Sequence, residues 1–163
     1  MKTTRLPTLI YWGSIVVALV LTLMPLPEGL RAAKPFWLAL VLIYWALEAP
    51  ERISLGRAFA LGLVGDLLTG SLLGEQALRL VVLTFIVLRL RSRLRFFPMP
   101  QQALAVLALL ANDRIVMLMV RSFGESAPIE LSHAVGPLVG ALLWPWIFLL
   151  LDSLRLRTRP SEA

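Results

Sequence analysis

Apolar runs follow one another along this chain, and charges fall mostly in the gaps between them. A helix that crosses a bilayer needs about 20 consecutive apolar residues, within a range of roughly 17–25. Six runs qualify as candidates: residues 8–24, 35–47, 55–73, 76–88, 101–120 and 134–151. The second and fourth are short and need their flanks to cross. None shows the alternation over about ten residues that marks a lipid-facing β-strand. The pattern predicts an all-α polytopic membrane protein of about six transmembrane helices, forming a single domain over residues 1–163. Composition agrees: 58% of the 163 residues are hydrophobic and 16% charged, with a mean hydropathy of +0.80. A water-soluble globule of this make-up would expose large apolar patches.

Charge placement predicts the orientation. Six spans put both termini on one side, together with the loops near residues 48–57 and 89–100. That side carries Lys2, Arg5, Arg52, Arg57, Arg89, Arg91, Arg93, Arg95, Arg155, Arg157 and Arg159, eleven in all. The other side carries four, Arg31, Lys34, Arg79 and Arg121, and Arg114 lies within a span. The positive-inside rule then places the N and C termini in the cytoplasm. The net charge of +6 is explained by this asymmetry, and no nucleic-acid partner is expected. Lys2 and Arg5 ahead of the first run imitate a secretory signal. Arg31, however, sits three positions ahead of the best cleavage point after Ala33, so an uncleaved first helix is expected.

The run "RLRSRLRFFP" (residues 89–98) holds Arg89, Arg91, Arg93 and Arg95 beside Phe96 and Phe97. It reads as a flank that fixes topology, as a clamp for anionic lipid head groups, or as a docking site for a cytoplasmic protein. There is no cysteine, which removes thiolate and disulfide chemistry. The lone histidine, His133, has no cluster at ligand spacing and is expected in a solvated loop. No metal and no cofactor are expected.

One carboxylate stands among glycines and leucines in "ALGLVGDLLTGSLLG" (residues 60–74). Counting in fours gives Gly62, Asp66, Gly70 and Gly74, a stripe along one helix face. Small-residue stripes let a second helix approach closely, and this one is expected to serve packing within the bundle. An ionisable group at mid-span normally finds a partner. Asp66 in the third span and Asp113–Arg114 in "LLANDRIVML" of the fifth lie at similar expected depths. Asp66, Asn112, Asp113 and Arg114 are therefore an expected intramembrane polar cluster, with Asp66 and Arg114 a candidate ion pair. Separate satisfaction of each charge by Asn112, backbone or water is the alternative. A second small-residue pattern, Gly136 and Gly140, leads into "LLWPWIFLLL", where Trp144 and Trp146 flank Pro145 and are expected to pack at depth.

Together these stretches resemble the MreD family, the polytopic subunit of the bacterial rod-shape (elongation) machinery. The resemblance is carried by "KPFWLALVLIYWALEAPERISLG" (residues 34–56), "GLVGDLLTGSLLG" (residues 62–74), "QQAL" (residues 101–104) and "LLWPWIFLLL" (residues 142–151), in the same order and over nearly the whole chain. It implies a fold similar to the substrate-binding components of energy-coupling-factor transporters, and a location in the bacterial inner membrane. It implies partnership with MreC, whose single membrane helix leads to a periplasmic domain. It also implies work alongside MreB, RodZ, RodA and the partner transpeptidase of RodA, supporting lateral peptidoglycan synthesis and cell shape. No catalytic activity is implied. Gly62, Asp66, Gly70 and Gly74 match the family element, whereas a basic residue at Arg114 is not assumed to.

The leading expectation is a non-enzymatic membrane scaffold. Its helix-packing or partner groove would involve Gly62, Asp66, Gly70, Gly74, Gly136, Gly140, Trp144, Pro145 and Trp146. The alternative is a transporter-like subunit binding a small molecule or lipid, which needs a polar cavity near the midplane. An enzyme needs a positioned nucleophile, acid–base pair or metal. The Asp66–Asp113 pair is the one candidate, and nothing accompanies it.

Overall fold

The structure, a computed structural model, describes residues 5–124 and 134–158. The expectation for His133 lies outside the described residues. Six α-helices account for most of the rest: α1 (Arg5–Leu23), α2 (Trp37–Glu48), α3 (Leu55–Thr69), α4 (Glu75–Leu94), α5 (Met99–Ser122) and α6 (Val135–Arg157). Short 3₁₀ turns at Glu28–Ala33 and Pro50–Arg52 flank α2. No strand occurs among the described residues, so the fold is all-α.

Helix α2 is the axis. Every residue from 38 to 47 is buried, as expected of a helix that is apolar all round. Helices α1, α4 and α6 pack directly on α2, α3 lies against α4, and α5 bridges α4 and α6. Aromatic rings set the contacts: Tyr11 meets Trp45 and Tyr44 meets Phe148 edge-on, at centroid distances of 5.4 Å in each case. Their polar tips are used as well. Trp45 Nε1 donates to Ser14 Oγ at 2.9 Å and Tyr44 OH to Asp152 Oδ1 at 3.2 Å.

The outer contour is apolar. Leu67 and Leu142 are 73% and 76% exposed, and Trp12, Phe85, Leu104 and Ile115 are also open. So continuous an apolar rim is stable against lipid and not against water. Among the described residues, three helical segments are long and apolar enough to cross a bilayer: Glu28–Glu48, Met99–Ser122 and Val135–Arg157. Pro7–Leu23 is a shorter apolar helix.

Three boundaries differ from the sequence expectation for physical reasons; one is the run 134–151, which is helical as far as Arg157 because its basic end continues the helix. The run 55–73 is helical only to Thr69, because Gly70 turns left-handed (φ 65°) and ends α3. The run 76–88 is helical as far as Leu94, because arginine is a good helix former and the basic stretch continues the helix past its apolar part.

Candidate functional site

The turn between α3 and α4 is built around Asp66. Backbone N–H groups at the start of a helix have no intrahelical partner. Asp66, only 1% exposed, supplies one from the neighbouring helix. Its Oδ2 accepts from Gly74 N at 2.8 Å, and its Oδ1 accepts from Gln76 N at 2.9 Å and from Ser71 Oγ at 2.8 Å. A carboxylate there also meets the positive end of the α4 dipole. Gly74 begins α4 at φ 98°, a conformation open to glycine.

The four-residue stripe is therefore corrected. Gly62 and Asp66 lie on α3, whereas Gly70 and Gly74 are turn residues with open space where a Cβ would stand. Gly62 alone of the four is a close-packing glycine: a Cβ there would lie 2.2 Å from Ala77 Cα. Gly65, which the count in fours passes over, has the same function, because a Cβ would meet Gln76 Oε1 at 2.5 Å.

The expected Asp66–Arg114 pair does not form. Asp66 lies one turn from the end of α3, where the α4 N-terminus claims it. Asp113 instead pairs with Arg79, a residue expected among the charges on the side opposite the termini. Arg79 Nε and Nη2 donate to Asp113 Oδ1 and Oδ2 at 2.9 and 2.6 Å, a bidentate clamp. The guanidinium also lies 3.5 Å from Glu75 Oε1 and 4.4 Å above the Phe36 ring. Arg121 closes the network on Glu75 at 3.2 Å. Glu75, Asp113 and Arg79 are all buried, so each charge here is matched, as buried charges must be. The signal in the sequence was an arginine inside an apolar run, one helical turn after a glutamate.

Asp113 and Arg114 are adjacent and point to different neighbours, Asp113 to α4 and Arg114 to α6. Arg114 Nη1 approaches Met117 Sδ at 3.7 Å. Its Nη2 occupies the space a Cβ on Gly136 would need, at 2.5 Å. Asn112 joins none of these charges, and its Nδ2 is buried with no partner among the described residues. The expected four-residue cluster is thus dispersed. Gly140 seats Leu110 Cδ1, at 2.6 Å from the position of a Cβ. The two α6 glycines therefore pack on α5. Trp144 is buried and its Nε1 donates to Gln102 Oε1 at 3.1 Å, while Gln102 Nε2 caps Leu94 O at 3.2 Å. The helix runs through Pro145 unbroken. Trp146 departs from the expectation of packing at depth: it is 73% exposed and faces outward.

At the opposite end, arginines gather on the C-terminus of α2. Arg91 Nε donates to Leu47 O at 2.9 Å and Arg155 Nη1 to Glu48 O at 3.1 Å. Arg155 also pairs with Glu48 and Asp152 at 3.0 and 3.5 Å. Cations at these carbonyls complement the negative end of the helix dipole. Of the four arginines in the 89–95 run, Arg91 is half-buried in this contact, and Arg89, Arg93 and Arg95 are exposed.

Between α1, α2 and α6 runs an outward-facing groove of about 350 Å³. Gly13, Val17 and Leu21 form one wall, Trp37 and Val41 the floor, and Leu150 is on the other wall. A Cβ on Gly13 would meet nothing within 4 Å, so the groove is open there. The one polar side chain lining it is Ser14, whose hydroxyl is held by Trp45.

The comparisons agree on one family. The model of the rod shape-determining protein MreD family matches residues 3–154. Rod shape-determining protein MreD of Haemophilus influenzae is 37% identical over 144 residues, covering 88% of this chain and 89% of its own. No solved structure matches the chain.

Proposed function

The chain belongs to the MreD family of rod shape-determining membrane proteins, and from that premise we propose that it is a non-enzymatic scaffold subunit of the rod-shape complex. It spans the inner membrane six times with both termini in the cytoplasm. It binds the single membrane helix of MreC, and through that complex supports lateral peptidoglycan synthesis beside MreB, RodZ, RodA and the partner transpeptidase of RodA. The observation that carries this reading is how the polar groups are spent. Asp66, Glu75, Arg79 and Asp113 end on helix termini or on one another, so these four buried charges are committed to the fold and not to a reaction or a polar cargo. On the outward-facing apolar surface, the concave feature is the groove between α1, α2 and α6.

Association inside a bilayer depends on close packing and hydrogen bonds, since lipid tails are as apolar as leucine. A groove with an open glycine meets that need. The test is photo-crosslinking in living cells from residues 13, 17 and 150, with residues 67 and 115 as controls on other faces. The proposal expects a single-span periplasmic protein as the adduct from the groove positions and not from the controls. If the groove positions yield no such adduct in cells that remain rod-shaped, the proposal fails.

A further inference from the structure

The arginine run at the end of α4 divides into two pairs. Arg91 is committed to Leu47 O, and Arg95 approaches Glu48 at 4.0 Å. Arg89 and Arg93 are exposed and have no partner among the described residues. They stand four residues apart, hence on one helix face, where like charges repel unless an anion screens them. That face continues upward into Phe85, which is 56% exposed, on the apolar rim. Just past the helix end are Phe96, 84% exposed, and Phe97. Exposed apolar rings beside basic residues suit the boundary between head groups and acyl chains. The order along this face is therefore apolar ring, two guanidinium groups, apolar ring.

We propose that Arg89 and Arg93, framed by Phe85 and Phe96, form a binding site for the head-group phosphate of an anionic phospholipid. The proposal rests on the membrane-spanning reading above. Charge complementarity selects the occupant: two exposed cations without a partner among the described residues stand where the apolar part of α4 ends, on a surface continuous with the apolar rim. The long arginine stems run along apolar surface while their heads reach the phosphates. Each basic residue near an anionic surface favours binding by an amount corresponding to about a fivefold preference.

The chain has no cysteine, so a single label reports cleanly. Ser92→Cys, on the exposed turn between the two arginines, carries a bimane fluorophore in the full chain. The protein is reconstituted in vesicles of equal phosphatidylglycerol and phosphatidylcholine, with one or the other lipid brominated. Brominated phosphatidylglycerol is expected to quench more strongly per molecule than brominated phosphatidylcholine, by about fivefold if one arginine engages and up to about twenty-five-fold if both do. The preference should disappear in the R89Q/R93Q variant. A label at Leu72→Cys, at the opposite end, should show no comparable preference. Equal quenching by both lipids in the unsubstituted background overturns the site while leaving the membrane reading intact. If, in addition, R89Q/R93Q cells lose rod shape at normal protein level, the run belongs to an acidic protein partner instead. Quenching by neither lipid overturns the membrane reading and the site together.

Discussion

The two ends of the bundle solve the same problem with opposite charges. At the α3–α4 turn, carboxylates face inward: Asp66 caps the N-terminus of α4, and Asp113 and Glu75 hold Arg79. At the far end, arginines face inward onto the C-terminus of α2. Each matches the helix pole it meets. The difference is burial. Asp66, Glu75 and Asp113 are at most 3% exposed, whereas the Arg155 side chain is 16% exposed and that of Arg95 48%. Carboxylate charge in the first end is structural and fully paired. In the second, charge is shared between structure and surroundings, and the unshared part is free to meet lipid.

That contrast predicts a graded response to substitution. Asp113→Leu strands a buried guanidinium and should cost about 3–5 kcal/mol. Little folded protein should survive extraction, as read by thermal unfolding in detergent. Gly62→Ala forces a Cβ into the Ala77 backbone and should cost about 1–3 kcal/mol, with α3 detaching from α4 first in hydrogen exchange. Asp66→Ala removes the α4 cap and should cost about 1–2 kcal/mol. Asp66→Asn should recover part of that loss, since its amide oxygen still accepts. At the other end Arg155→Gln should cost about 1 kcal/mol or less. Its effect should shrink further with added salt, because partly exposed charges are screened. An Arg155 effect as large as that of Asp113 would erase the distinction between the ends.

Much of the fold was legible in hydropathy. Helix existence follows from long apolar runs, and the inward turn of Asp66 follows from the cost of a charge in lipid. Where Asp66 points was not legible. The spacing of Gly62, Asp66, Gly70 and Gly74 in fours imitates a continuous helix, but two of those glycines are there for their positive φ. A backbone turn and a helical stripe share one sequence signature here. The Arg79–Asp113 clamp joins residues 34 apart in sequence, and neither run alone announces the other. Trp144 and Trp146 look equivalent around Pro145, yet two residues along a helix face different ways, so one is core and the other rim.

The central claim is that the buried charges hold the bundle together and take no part in what the bundle does. Replacing the clamp whole, as Arg79→Met with Asp113→Leu, tests it most directly, because well-packed apolar pairs often substitute for buried ion pairs at little cost. Cell shape is measured against the amount of membrane-inserted protein in a strain carrying only this variant. The account predicts rod-shaped cells in proportion to protein level. Round cells containing a full complement of stably folded protein would contradict it.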